Sequence, residues 1–296
     1  LETPDLLALH LTGLGLFALL YQALQPVYPD FRGGLAAIIA LAAIGLWQWL
    51  QTRDHIASLN AAALAFTLAA LGVAVQFDGP AVVIGWAAEG AAAVWIGLRV
   101  LSVPFQYGGL VLWGFAVLKL SEGYFDTPAN FVAILNVRSL STFFLIALAY
   151  AMAWMFERDE SAQGSRIRAA LHVAASFLSL MWITAEIRSY WDMRDETPQA
   201  FLYEQMVLSL AWGAYGAALI AVGMRWRYPV ARYIGITVIA VTVLKVFFYD
   251  LWELGGIYRV IGFIGFGVLL VLVSYLYQKG RQEAPPPEAP PSPEIT

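Results

Sequence analysis

The segment KVFFYDLWELGGIYR, residues 245–259, separates two long apolar stretches. The sequence that leads up to this segment resembles an earlier part of the chain. A shift of 126 residues superposes Trp86 on Trp212 and Gly90 on Gly216. The same shift aligns Gly97 with Gly223, Arg99 with Arg225, Gly109 with Gly235, and Val117, Leu118 and Lys119 with Val243, Leu244 and Lys245. These matches predict a tandem repeat.

The composition around this segment is that of an integral membrane protein. Hydrophobic residues make up 60% and charged residues 13% of the chain, and the mean hydropathy is +0.68. Soluble domains are roughly 45 to 50% apolar and about 25% charged. The apolar stretches are continuous rather than alternating, so they predict transmembrane helices and not a barrel. The predicted fold class is all-α, a polytopic helical bundle.

About ten stretches are long enough to cross a bilayer, which needs about 20 apolar residues in a helix. The predicted spans are 6–25, 33–51, 56–76, 80–101, 104–121, 138–157, 168–187, 203–225, 230–249 and 257–277. Three joints between them are predicted to be longer than the rest, at 122–137, 158–167 and 188–202.

The repeat offset covers four spans, which defines the predicted domains. Residues 56–157 and 158–278 form two four-helix units, residues 1–55 form a two-helix half unit, and residues 279–296 form a Pro-rich disordered tail. An even number of spans makes the copies parallel rather than inverted. The half unit resembles the end of an earlier copy, so a further repeat is expected upstream of Leu1.

The distribution of basic residues predicts that both termini lie in the cytoplasm, because basic loops are retained on that side. Ten of the 17 Lys and Arg residues fall on one side of the predicted bundle, namely Arg53, Arg99, Arg158, Arg166, Arg168, Arg225, Arg227, Arg232, Lys279 and Arg281. The turns that contain Lys119 and Lys245 then face the outside.

Several function classes are excluded by composition. The chain has no cysteine and only three histidines without paired spacing, so no metal site and no cofactor are predicted. The net charge of −4 argues against a nucleic-acid partner. Nucleotide-binding and common hydrolase motifs are absent, and no catalytic residue can be named.

The candidate ligand-binding residues lie in the two outward turns. They are Lys119, Arg138, Lys245, Asp250 and Arg259. Lys and Arg in a part-hydrated pocket can hold a lipid phosphate or diphosphate, with Arg giving bidentate contact. The alternative is that these charges anchor the helix ends, because long basic side chains extend to the interface at small cost. Lys245 lies a turn inside its span, so a partner such as Asp250 or Glu253 is expected.

Glu89 is predicted to lie near the middle of the span 80–101, where a charged carboxylate is costly. It is therefore expected to be protonated, paired or facing a cavity. Its repeat equivalent is Tyr215. One interpretation is an interhelical hydrogen bond within a seam of small residues; the other is proton or ion handling.

Three segments of the chain resemble a large bacterial family of predicted membrane proteins that carries only a domain-of-unknown-function label. They are GWAAEGAA at 85–92, LNVR at 135–138, and KVFFYDLWELGGIYRVIGFIGFGVLLVLVSYLYQK at 245–279. The resemblance implies a multi-pass protein of the bacterial inner membrane and implies no activity. The residues that carry it are Trp86, Glu89, Asn136, Arg138, Lys245, Asp250 and Arg259.

Three functions remain open from the sequence. The first is binding or handling of an anionic lipid or lipid-linked glycan at the extracytoplasmic face by the outer cations. The second is a non-catalytic scaffold or accessory subunit, with protein partners or a homo-oligomer in the membrane. The third is a transporter or channel that uses Glu89. Membrane lipids are expected partners in every case.

Overall fold

The computed structural model describes residues 3–24, 26–27, 32–128, 130–158, 161–194 and 198–246, together with residues 260, 264–265, 267–268, 270–275 and 278. Within these residues the chain is helical and has no strand. The helices are α1 Thr3–Leu24, α2 Arg32–Leu50, α3 His55–Gln76, α4 Pro80–Arg99, α5 Val103–Ser121, α6 Val137–Met155, α7 Ala162–Asp192, α8 Pro198–Arg225 and α9 Pro229–Lys245, with a 3₁₀ turn at Phe156–Arg158.

The helices of the described residues coincide with the first nine predicted spans. Seven of them, α2 to α8, are long and apolar enough to cross a membrane. The other two are α1, in which the apolar part is the shorter stretch Leu11–Ala23, and α9, which has 17 residues. The structure describes only separate parts of the tenth predicted span, 257–277, so the count of ten remains a prediction.

Two helices are longer than their apolar windows. Helix α7 has 31 residues and α8 has 28, so they are about 46 Å and about 42 Å long, against about 30 Å for the hydrocarbon core. The long joint predicted at 188–202 is therefore wrong, because α7 continues to Asp192 and α8 already begins at Pro198. Charged residues end a hydropathy window, but Arg, Glu and Gln are good helix formers and do not end a helix.

The chain divides into two compact units, Leu1–Leu178 and Ser179–Thr296, which we describe separately. In the first unit a core cluster from α4, α5, α6 and the start of α7 surrounds Phe156, which is fully buried. A second cluster joins α1, α2 and α3 around Leu68. The predicted boundaries of the four-helix repeats remain a prediction.

Helices α4 and α5 of the first unit form a hairpin with direct backbone contact. A Cβ atom at Gly90 would lie 2.6 Å from the carbonyl oxygen of Gly109, and one at Gly109 would collide with the carbonyl oxygen of Gly90. At the turn, the Ser102 N–H donates to the Gly97 carbonyl at 2.8 Å, and Leu101 has a left-handed φ of 54°. This is the Schellman ending of a helix, made here without glycine.

Helices α8 and α9 of the second unit form another close hairpin. A Cβ atom at Gly235 would lie 2.6 Å from the carbonyl oxygen of Gly216. The Tyr228 N–H donates to the Gly223 carbonyl at 2.8 Å, and Arg227 has a left-handed φ of 53°. Small residues let the two backbones approach in this way, as membrane helix pairs commonly do.

The outer faces of the helices are apolar. Large hydrophobic side chains such as Leu41, Phe115 and Leu210 are more than half exposed, whereas the buried positions are occupied largely by alanine, glycine and serine. A soluble protein would bury the large side chains and expose polar ones. This inverted arrangement is the one expected where the surrounding solvent is lipid.

Candidate functional site

Lys245, the last residue of α9, directs its ammonium group towards α8. Its Nζ lies 3.0 Å from the hydroxyl oxygen of Ser209 and 3.5 Å from the carbonyl oxygen of Gln205. The side chain is half-buried. A lysine that only anchored a helix would extend into solvent. The fold instead holds this cation between two helices.

An ion pair between α7 and α8 lies beside the lysine. The Nε atom of Arg188 is 3.8 Å from Oε1 of Glu204, whose side chain is 13% exposed against 50% for Arg188. Glu204 also interacts electrostatically with Asp192 and Lys245. Helices α7, α8 and α9 therefore bring together a polar cluster, which we call the Lys245 cluster: Arg188, Glu204, Gln205, Ser209 and Lys245.

Aromatic contacts hold the two helix ends that carry this cluster. The rings of Trp191 and Tyr203 stack with centroids 6.2 Å apart. The guanidinium of Arg194 lies 3.9 Å from the centre of the Tyr190 ring. Closer to the middle of the helices, the indole N–H of Trp212 donates to Thr184 at 2.9 Å. The Trp191–Tyr203 and Trp212–Thr184 contacts join α7 to α8, whereas the Arg194–Tyr190 contact lies within the end of α7.

Lys119 lies in the last turn of α5 in the first unit and has a different environment. Its Nζ lies 2.6 Å from Oε2 of Glu122, three residues later, and its side chain is 33% exposed. It lines a cavity of about 340 Å³ together with Asp78, Trp86 and Glu122. The indole N–H of Trp86 donates to the Ala70 carbonyl at 2.8 Å, which fixes α4 against α3.

Arg138 folds back on the connection between α5 and α6. Its Nη1 donates to the carbonyl oxygens of Tyr124 at 3.1 Å and Asp126 at 3.3 Å. The Thr142 hydroxyl donates to the Arg138 carbonyl at 2.8 Å. The Tyr124 hydroxyl lies 2.9 Å from Thr142 Oγ1, and because the Thr142 proton is already used, Tyr124 is the donor between these two hydroxyls. Asn136 caps α6 by accepting the Ser139 N–H at 2.9 Å. Arg138 thus orders this loop.

Glu89 lies in the middle of α4. Both carboxylate oxygens are buried and have no hydrogen-bond partner among the described residues. Glu89 follows Gly85 and Trp86 by one helical turn, and those two residues contact Val73 and Ala70 of α3. The carboxyl group therefore lies on the side of α4 that faces α3. Its predicted equivalent, Tyr215, is half-buried in α8.

Two of the predicted ligand-binding residues, Asp250 and Arg259, lie outside the described residues. Glu253, which with Asp250 was the expected partner of Lys245, also lies outside the described residues, so this pairing stays a prediction. Over the part of the chain that the structure describes, no three His, Asp or Glu side chains gather in a way that could hold a metal ion.

Residues 100–280 match the family model described as Predicted membrane protein (DUF2339). The chain belongs to the DUF2339 family. The matched segment contains α5 to α9 and therefore the Lys245 cluster, Lys119 and Arg138. Trp86 and Glu89, which also carried the resemblance, precede it. No curated protein and no solved structure matches this DUF2339 chain.

Sequence reasoning did not select Gln205 and Ser209 as site residues of this DUF2339 protein. Gln205 and Ser209 are four residues apart and so share a face of α8, which is a signal that the sequence carries. Their partner Lys245 lies 36 residues beyond Ser209. Only the α8–α9 hairpin brings the groups together.

Proposed function

We propose that this multi-pass membrane protein binds the phosphate group of an anionic lipid or lipid-linked glycan at the extracytoplasmic face of the bacterial inner membrane. The observation that carries the proposal is the position of Lys245, whose ammonium is held between α8 and α9 by Ser209 and Gln205. A fixed ammonium group loses little further entropy when it binds an anion.

The neighbours of Lys245 fit a headgroup that contains both phosphate and hydroxyl groups. Arg188 offers a guanidinium that is half exposed, and Glu204 can accept hydrogen bonds from hydroxyls. Helices α7 and α8 are both longer than the hydrocarbon core is thick, so the ends that carry Arg188 and Glu204 can extend into the headgroup region. Lys119, Arg138, Asp250 and Arg259 remain proposed contributors.

The test is lipid binding by purified protein in detergent, measured by native mass spectrometry with phosphatidylglycerol and with a polyprenyl phosphate. Lys245→Gln should weaken binding of both by about 10- to 100-fold, because a hydrogen bond to a charged group contributes about 1.5 to 3 kcal/mol. Arg188→Gln should have a smaller effect, since its guanidinium is more exposed.

The matched control is Arg194→Gln, which removes an exposed arginine that contacts the Tyr190 and Trp191 rings of the same unit. It should bind both lipids as the unchanged protein does. If Lys245→Gln behaves like this control, the Lys245 cluster does not bind phosphate and the proposal is wrong.

We further infer that the α4–α5 and α8–α9 hairpins are copies of one unit. The backbone pairs Gly90 with Gly109 and Gly216 with Gly235 are related by the same shift of 126 residues. So are the two left-handed turn residues, Leu101 and Arg227. Equivalent close contacts at equivalent positions support the repeat, and they give Lys119 and Lys245 the same position at the end of a hairpin.

A second candidate function rests on Glu89. A carboxyl group whose oxygens are buried without a partner is a common feature of proton and ion pathways. If the protein transports protons or a solute through this region, Glu89→Gln should abolish the flux measured in proteoliposomes. The Glu122→Gln control changes an exposed carboxylate and should leave the flux unchanged. If the unchanged protein, Glu89→Gln and Glu122→Gln give equal flux, the proposed transport function of Glu89 is wrong.

A further inference from the structure

A larger cavity of the first unit lies where α4 and α6 end. It has a volume of about 930 Å³. Most of its wall is apolar and is formed by Trp95, Leu98, Leu101, Trp154 and Met155. Trp95 is 48% exposed and Trp154 is 67% exposed. Because tryptophan is enriched at the membrane interface, two exposed tryptophans at a helix end are expected to lie there.

The polar lining of the cavity carries one charge of each sign. Arg99 comes from the end of α4 and Glu157 from the 3₁₀ turn after α6, and Gln106 completes the polar groups. The Gln106 amide donates to the Gly97 carbonyl at 3.3 Å, so it is already engaged. The Arg99 guanidinium lies 5.1 Å from the centre of the Trp95 ring. No ion pair within 4 Å joins these two described side chains, Arg99 and Glu157.

The apolar and charged groups are arranged in two layers. Helices α4 and α6 both run towards this end of the unit, because α5 returns between them. Trp95 precedes Arg99 by four residues in α4, and Trp154 of α6 precedes Glu157 by three. Each tryptophan therefore lies about one helical turn further from this end of the unit than the charged residue that follows it. A phospholipid has the same order, with acyl chains below and charges above.

We propose that this cavity binds a zwitterionic phospholipid with a primary amine, of the phosphatidylethanolamine class. Arg99 binds the phosphate and Glu157 accepts a charge-assisted hydrogen bond from the ammonium. The acyl chains pack against Trp95, Leu98 and Trp154. A purely anionic headgroup would bind Arg99 but would place its negative charge near the negative charge of Glu157, which is unfavourable. A choline headgroup has no N–H to donate. The site uses none of the Lys245 cluster and is independent of the function proposed above.

The test is a titration of the full chain in detergent with dioleoyl phosphatidylethanolamine, phosphatidylcholine and phosphatidylglycerol, with native mass spectrometry as the readout. The unchanged protein should bind phosphatidylethanolamine more tightly than phosphatidylcholine. Arg99→Gln should weaken phosphatidylethanolamine binding about tenfold. Glu157→Leu, which removes the acceptor, should abolish the preference over phosphatidylcholine, while Arg99→Lys should retain part of the binding because it keeps the charge.

Arg53→Gln is the matched control, because Arg53 likewise lies over a tryptophan, 4.0 Å from the centre of the Trp49 ring, and does not line the cavity. It should bind all three lipids as the unchanged protein does. Equal affinity of the unchanged protein for the ethanolamine and choline lipids would overturn the proposal. Retention of full phosphatidylethanolamine affinity by Arg99→Gln would overturn it too. Lys245→Gln should leave the ethanolamine preference intact, so the two lipid proposals fail separately.

Discussion

Gly109→Leu should prevent the protein from forming a stable fold. A Cβ atom at this position would collide with the carbonyl oxygen of Gly90 and lie 2.8 Å from the Val94 backbone nitrogen. Both are backbone atoms of α4, so the two helices must separate to admit a side chain. Overpacking of a core usually costs about 1 to 3 kcal/mol, and we expect a larger loss here because no flexible side chain can yield.

Thermal unfolding is measured in detergent, with the fraction of protein that remains monodisperse in size-exclusion chromatography as the readout. Gly114→Leu is the control in the same helix, since nothing lies within 4 Å of a Cβ atom there. It should be neutral or slightly stabilising, because leucine has the higher helix propensity. Similar unfolding temperatures for the two variants would show that the α4–α5 contact is not close.

The proposed repeat extends this expectation to Gly235→Leu. A Cβ atom at Gly235 would lie 2.6 Å from the Gly216 carbonyl oxygen and 3.0 Å from the Ile220 nitrogen. If the two hairpins are copies, this variant should lose stability to a similar extent. A large loss for Gly109→Leu without one for Gly235→Leu would contradict the equivalence of the hairpins.

Glu89→Met should raise the stability of the protein. Both carboxylate oxygens of Glu89 are buried without a partner among the described residues. Mutational data give a cost of about 1 to 3 kcal/mol for a buried polar group that makes no hydrogen bond, and methionine fills a similar volume without polar oxygens. Glu89→Gln keeps two polar atoms in the same place, so its stability should increase little. The same unfolding experiment measures both.

Glu122→Met is the control for Glu89→Met, because it removes an exposed carboxylate whose pair with Lys119 is at the surface. Surface ion pairs contribute about 0 to 1 kcal/mol, so this variant should change stability only slightly. A clear destabilisation by Glu89→Met would contradict this expectation.

The positions of the helices could be predicted from the sequence because hydropathy and local chain-breaking signals agree. Pro80, Pro104 and Pro229 stand at the first turns of α4, α5 and α9, where proline costs no hydrogen bond. The ends of α7 and α8 could not be predicted in the same way. Hydropathy marks the limits of the hydrocarbon, and a helix formed by Arg, Glu and Gln can continue past them.

The candidate site was predictable only in part. The predicted repeat and the predicted position of Lys245 a turn inside the span 230–249 drew attention to that residue, and the structure shows that its ammonium is engaged. Its partners could not be inferred, because Ser209 and Gln205 belong to another helix. Arg138 illustrates the same limit: its charge suggested a ligand, whereas its contacts with the carbonyls of Tyr124 and Asp126 depend on how the α5–α6 loop folds.

The close backbone contacts between glycines of neighbouring helices also affect how the chain enters the membrane during synthesis. Gly90 meets Gly109 and Gly216 meets Gly235 across a single short turn, so each pair is brought together by closing a small loop. Such local contacts form quickly and do not wait for later parts of the chain. Each hairpin can therefore assemble as soon as its second helix leaves the ribosome.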